Sequence, residues 1–288
     1  MGLRRIACLS QAQRLICEIR VIFDNTLRCD RELSGSSTVR LAPSRYYPAV
    51  KHARRIATLC GMKEEQFKFI AHESKGEVSA HLMVPRGAKA VVVLGHGAGA
   101  GMYHANMQNI AEQLAERKIG TFRYQFPFME RGGGRDSEKV SLATVCNAIR
   151  ETKKRVRKKP IFAGGHSFGG RMTSLAAAAD DFPDVVSGLI FFAFPLHAPN
   201  KPSDHRVAHL PDITLPMLFL TGTRDALNSL DLFEPVIKKL KRKKKPVTLH
   251  LLDTANHGYK ILKKSRESEE DIFEEMGRVA SEWIELQS

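Results

Sequence analysis

From residue 62 onward, short apolar runs of period two alternate with longer stretches in which apolar residues recur every three or four positions. The runs "QFKFIA" and "EVSAHLMVP" each alternate apolar with polar residues. "KGE" between them reads as a turn, so the pair predicts a hairpin-like opening with one face buried. "AKAVVVLG" is instead apolar at successive positions and runs into glycines, the pattern of a strand buried on both faces in a parallel sheet. "ANMQNIAEQLAERKIG" then places Met107, Ile110, Ala111 and Leu114 at helical spacing and closes on Gly120. The same alternation continues. Strands are predicted at "TFRYQFP", "PIFAGG", "VSGLIFFAFP", "MLFLTG" and "VTLHLLD". Helices are predicted over roughly 138–157, in "GRMTSLAAAA" and "LNSLDLFEPVIKKLK", and near 268–286. "MERGGGRD" and 195–215 read as loops. Strand–helix alternation of this kind specifies an α/β fold, an open, mostly parallel twisted sheet with helices on both faces.

Residues 1–61 lack this order. They are rich in Arg, Ser and Cys, show no sustained period, and include "SGSSTVRLAPSRYYP", which reads as loop. The chain is therefore read as an N-terminal extension (1–61), loosely ordered or disordered, followed by a folded domain (62–288). No run of about 18 apolar residues occurs, so no membrane-spanning helix is expected. The apolar part of the N-terminus is broken by Gln11, Gln13, Arg14, Glu18 and Arg20, against a signal peptide. Of the five cysteines, Cys8, Cys17, Cys29 and Cys60 fall in the extension and only Cys146 beyond it. None is paired at zinc spacing, which fits a reducing, cytoplasmic location.

The net charge of +14 divides equally between the extension and the domain. In the domain it concentrates in "KKRVRKK" (153–159) and "KKLKRKKK" (238–245), each at the end of a predicted helix, where cations favour the dipole. Neither run has interleaved aromatics for base stacking, so no nucleic acid and no membrane partner is expected.

Candidate chemistry collects at the predicted strand ends, where such sheets bind ligands. Gly165-His166-Ser167-Phe168-Gly169 is a G-x-S-x-G sequence between a strand and a helix, the context of a turn that holds a serine out as a nucleophile. A serine hydroxyl needs a base and an acid that orients the base. Asp225 follows the strand "MLFLTG", and His257 follows "VTLHLLD", giving the chain order Ser, acid, His. His250 lies inside a strand, His166 sits beside the serine, and Asp253 ends the His-bearing strand; all three fit less well. Two backbone amides would hold an oxyanion: Phe168, after the serine, and Ala98 in the His96-Gly97-Ala98 loop, with Gly97 flanking it and His96 holding the loop through a ring hydrogen bond. The same loop matches G-x-G-x-x-A, a dinucleotide fingerprint. That reading needs an acid about 20 residues on, where "TFRYQF" ends in Gln125 and Phe126.

Together these motifs resemble the α/β-hydrolase superfamily, in its small, dienelactone-hydrolase-like branch without a cap domain. "GHGAGAGM", "AGGHSFGGRM", "FAFPLHAPNKP", "LFLTGTRDAL" and "NHGY" are more narrowly similar to a family of predicted hydrolases. That family includes a testis-expressed protein and a chromatin acetyltransferase complex subunit. The resemblance covers about four-fifths of the chain. It implies a catalytic Ser167–His257–Asp225 triad acting on a small-molecule acyl substrate, with no metal and no organic cofactor. It also implies a second reading, a non-catalytic scaffold serving a protein complex. Dienelactone hydrolases carry a cysteine where this chain has Ser167, so their substrate does not carry over.

The composition shift at Met62 generates a first prediction. Protein beginning at Met62 should express, unfold cooperatively in urea and retain full esterase activity. Insoluble protein would show that residues 1–61 pack on the core.

Overall fold

The computed structural model describes residues 61–287. Apart from Gly61, the extension lies outside the described residues. Eight strands form one sheet: β1 (Lys63–His72), β2 (Gly76–Val84), β3 (Ala90–Gly95), β4 (Ile119–Tyr124), β5 (Ile161–His166), β6 (Val186–Phe192), β7 (Met217–Gly222) and β8 (Val247–Leu252). Their order is β1-β2-β4-β3-β5-β6-β7-β8. The β1–β2 and β2–β4 pairs are antiparallel, and every pair from β4 to β8 is parallel. Among the described residues, six helices accompany them: α1 (Ala105–Glu116), α2 (Pro127–Arg131), α3 (Glu138–Arg155), α4 (Phe168–Ala177), α5 (Leu230–Arg242) and α6 (Ile272–Leu286).

The strand sequences explain the layering. In a pleated strand, successive side chains point to opposite faces. Val91, Val93, Ile161, Ala163, Leu189, Phe191, Met217 and Phe219 enter one core with residues of α3, α4 and α5. Their neighbours Val92, Leu94, Phe162, Ile190, Phe192, Leu218 and Leu220 enter a second core with α1 and α6. Central strands that feed two cores are apolar at successive positions, with Ser187 and Thr221 as the polar exceptions within β6 and β7. Strand β1 feeds only one core: Phe69 and Ala71 are buried while Lys68 and Ile70 are exposed. Its alternation therefore belongs to a strand covered on one side.

Helix ends follow local chemistry. Asp271 caps α6 by accepting from the Phe273 and Glu274 amides, so the helix starts at Ile272 rather than near 268. The stretch expected to loop from Met129 begins instead with the short helix α2, which Pro127 opens at its first turn. The basic runs close α3 with Lys153, Lys154 and Arg155, and α5 with Lys239, Lys241 and Arg242. Arg155 also lies over the Phe67 ring at 3.5 Å and pairs with Glu151 and Glu65. The link from β6 to β7 carries two short 3-10 turns, His205–Val207 and Leu210–Asp212, within the segment read as loop. No cap domain stands over the sheet among the described residues. None of their helices is long and apolar enough to cross a membrane.

Strand β3 lies between β4 and β5, so the chain leaves it first to one side and then to the other. The crevice at such a reversal, beyond the C-terminal strand ends, is where open α/β sheets bind ligands.

Candidate active site

Three segments meet at the reversal with backbone against backbone. A Cβ on Gly169, at the start of α4, would lie 2.2 Å from the carbonyl carbon and oxygen of Gly95, at the end of β3. Only glycine permits that approach, and the requirement is mutual: a Cβ on Gly95 would meet the Gly169 Cα at 2.9 Å. Gly95 is thus accounted for by packing against the β5–α4 turn, whereas a Cβ on Gly99 would meet nothing within 4 Å. Gly97 extends the same contact, since a Cβ there would stand 3.0 Å from His166 Nδ1 and 3.8 Å from Ser167 Cβ.

Ser167 sits on the turn itself, with φ 51° and ψ −112°. For a residue with a side chain this is a sparsely populated conformation, and it costs of order 1–3 kcal/mol. The surrounding structure holds it there: the Ser167 amide donates to the Phe192 carbonyl, and its carbonyl accepts from Arg171.

The Ser167 hydroxyl lies 2.8 Å from Nε2 of His257. Nδ1 of the same ring lies 2.8 Å from Oδ2 and 3.0 Å from Oδ1 of Asp225. An ionised carboxylate only accepts, so Nδ1 carries the proton and donates to Asp225. Nε2 is then free to accept from the serine. The Asp225 side chain is fully buried, and its Oδ1 also accepts from the Leu227 amide. Asn228 ties that loop down by donating to the Phe194 carbonyl. On the His257 side, Asn256 Oδ1 accepts from the Gly258 and Lys260 amides and closes the loop on itself.

Ala98, Phe168, Ser167 and His257 line one cavity of about 570 Å³, together with His104, Met107 and residues of the β6–β7 link. Phe168 is the first residue of α4, where amides have no partner within the helix. Its ring packs edge-on against Phe126 and Phe128 at 5.1 and 5.6 Å.

His96 is fully buried behind the loop. Its Nδ1 donates to the Gly97 carbonyl at 2.7 Å, and its Nε2 accepts from the Phe126 amide at 3.0 Å. Burial lowers its pKa from the usual histidine value to about 4. The geometry agrees with that direction, because a protonated Nε2 would face an N–H donor.

The two candidates set aside at β8 fall elsewhere. His250 lies within β8 and pairs with Glu275, while Asp253 accepts from the Glu267 amide. His166, set aside in the sequence as a neighbour of the serine, lines the cavity. Its ring lies 5.6 Å from that of His257, and its Nε2 donates to the His257 carbonyl at 3.4 Å. Burial, reinforced by His257, lowers its pKa to about 4. Arg135, Arg171 and Arg206 also line the cavity. They come from three separate segments, and no spacing in the sequence marks them as a group. Among the described residues, no group of three or more His, Cys, Asp or Glu is arranged to hold a metal ion.

Residues 88–285 match the family described as alpha/beta hydrolase domain. Among solved structures, the fold is similar to a dienelactone hydrolase from Anabaena variabilis. That pair has a TM-score of 0.58 and 18% identity, over 77% of this chain and 98% of that one. An esterase from Pyrococcus furiosus is similar with a TM-score of 0.61 and 15% identity, over 78% and 91% of the two chains. A serine hydrolase without a lid from Xanthomonas campestris follows with a TM-score of 0.51 and 18% identity, over 68% and 87%. At these identities the likeness is one of fold.

The buried, neutral His96 has a consequence for acid stability. Unfolded histidine takes up a proton near pH 6.5, whereas folded His96 does so only near pH 4. Its contribution is therefore present above pH 6.5 and is lost as pH falls towards 4, by up to about 3 kcal/mol. Urea unfolding followed across this range should show the loss, and His96→Gln, which does not titrate, should show a smaller one. An equal loss in both proteins would mean that other groups cause it.

Proposed function

The chain belongs to the alpha/beta hydrolase domain family, and from that premise we propose that it is a serine hydrolase cleaving esters or similar acyl compounds through an acyl-enzyme. The observation that carries the reading is the hydrogen-bonded series from Ser167 through His257 to Asp225 at the wall of the cavity. His257 Nε2 takes the Ser167 proton as Oγ attacks the acyl carbon, and returns it to the departing alcohol. Asp225, buried and held by the Leu227 amide, keeps the Nδ1–H tautomer and stabilises the imidazolium. The amides of Ala98 and Phe168 hold the oxyanion, and His96 keeps the Gly97 carbonyl turned away from it. Water then attacks the acyl-serine, with His257 as base, and the carboxylic acid leaves as Ser167 regains its proton. No cofactor takes part in these steps.

The narrower likeness, to the hydrolases that include a testis-expressed protein and a chromatin acetyltransferase complex subunit, rests on the five sequence motifs and belongs to the same proposal. So do the cytoplasmic location and the treatment of residues 1–61 as an appended segment.

A fluorophosphonate probe tests the nucleophile. Wild-type protein should be labelled, and Ser167→Ala should abolish labelling and lower kcat by about 10⁶. His96→Ala should lower kcat far less than His257→Ala. Wild-type protein that does not label would overturn the enzyme reading in favour of a scaffold.

From the β6–β7 link, Pro195, Ala198, Pro199 and Arg206 of the first short turn line the site. Long acyl chains need a deep apolar pocket, and this cavity opens under a short link instead. Across a series of 4-nitrophenyl esters, kcat/KM should be higher for two- to four-carbon acyl groups than for chains beyond about ten carbons. The reverse order would count against an uncapped site.

A further inference from the structure

Three guanidinium groups line the cavity that holds Ser167, and no aspartate or glutamate lines it with them. Arg171 lies on α4, one turn beyond the serine. Arg206 is on the first 3-10 turn of the β6–β7 link, and Arg135 follows α2. From that juxtaposition, and resting on the hydrolase reading above, we propose that the substrate is an anionic ester. A carboxylate or phosphate group elsewhere on the molecule would be held by Arg135, Arg171 and Arg206 while the ester meets Ser167.

The arginines are poorly compensated by the protein itself. Among the described residues, neither Arg135 nor Arg206 has an acidic partner. Arg171 reaches only the exposed Glu138, at 3.5 Å, and its Nε is buried with no hydrogen-bond partner. Arg135 lies 5.6 Å from the centre of the Phe168 ring, so this charge stands beside the residue whose amide faces the oxyanion. Arg206 is held below the ordinary guanidinium value by burial and by repulsion from Arg171 and Arg135, as expected of cations gathered without a counter-charge. Surface arginines ordinarily spread apart or pair with acids. Three that converge on a concave site instead present planar donors suited to a carboxylate or phosphate. The N-terminal end of α1 adds to the field, since His104, Asn106 and Met107 line the same cavity.

The test uses the full chain and matched esters. Mono(4-nitrophenyl) succinate is compared with its methyl-capped, neutral analogue, so that the anion lies on the acyl side. 4-Acetoxybenzoate and 4-acetoxyphenyl phosphate are compared with methyl 4-acetoxybenzoate, so that it lies on the leaving group. At least one anionic ester should exceed its neutral partner in kcat/KM by about tenfold. Added salt should reduce the ratio. Arg171→Gln and Arg206→Gln should each cut the ratio by about tenfold, and Arg206→Lys should restore part of it. Whichever anionic ester gives the larger ratio distinguishes carboxylate from phosphate. Ratios at or below one in every pair, or ratios unmoved by the glutamine variants, would overturn the proposal.

Failure of the hydrolase reading is distinguishable. If no ester is turned over and the fluorophosphonate does not label, succinate and inorganic phosphate are titrated into the wild type by calorimetry. Binding that is lost in the Arg171→Gln/Arg206→Gln double variant keeps the anion site without the enzyme. No binding of either ion removes both.

Discussion

The approach of Gly169 to Gly95 is the contact on which the rest of the site depends. With a Cβ position only 2.2 Å from a neighbouring carbonyl, any side chain on Gly169 would push α4 away from β3. The loop after β3 would then no longer face the turn after β5. That loop carries Ala98 and the turn carries Ser167, so one backbone contact sets the relation between the hydroxyl and the amide. The strained Ser167 backbone follows from the same crowding. A strand running directly into a helix must turn within one residue, and the tight fit on both sides leaves no room for a relaxed loop. The cost of that conformation, of order 1–3 kcal/mol, is small beside the burial achieved by two apolar cores on the sheet faces.

The other half of the site is held differently. Asp225 and His257 stand on loops after β7 and β8, which meet each other at Gly222, where a Cβ would lie 2.3 Å from the Ala255 carbonyl oxygen, and have no such contact with the serine turn. They are fixed by hydrogen bonds to backbone groups: Leu227 to Asp225, Asn228 to the Phe194 carbonyl, and the Asn256 ring of bonds beneath His257. His166 joins the two halves, since it follows β5 yet donates to the His257 carbonyl. Packing locates the serine, and directional polar contacts aim the imidazole at it.

This division explains what the sequence makes legible. Most strands are readable because they are short, apolar at the period their burial demands and bounded by turn residues, although β4 buries Thr121 and Arg123. Ser167, Asp225 and His257 are readable because each stands directly after such a strand, and they lie within hydrogen-bond reach in the structure. His96 is readable from its place before Gly97, though its bond to the Phe126 amide depends on how β3 and β4 pair. The helix α2 escapes because five residues are too few to show a period, and Pro127 marks a helix start only in hindsight of the turn. Asn256 and Asn228 escape because an asparagine in a loop looks the same whether it braces the loop or merely faces water. The arginines escape for a stronger reason. They belong to three segments brought together only by the sheet topology, and a charged residue in a connecting stretch ordinarily signals exposure.

That last point bears on how an uncapped site selects what it binds. Binding a long acyl chain takes apolar cover, because transfer of apolar surface from water scales with the area covered. Here, among the described residues, the cavity is walled on this side by a proline-rich link and the first of its short turns, with no cap domain over it. Charge has a longer reach. A partly open cavity with three guanidinium groups and a helix N-terminus on its walls attracts an anion before close contact and orients it on arrival. The expense is borne by the free protein, which keeps like charges together near a low-dielectric wall, and Arg206 registers it as a lowered pKa. An arrangement that is unfavourable alone and relieved by one class of ligand concentrates binding energy on that class. In an uncapped site this is a route to specificity.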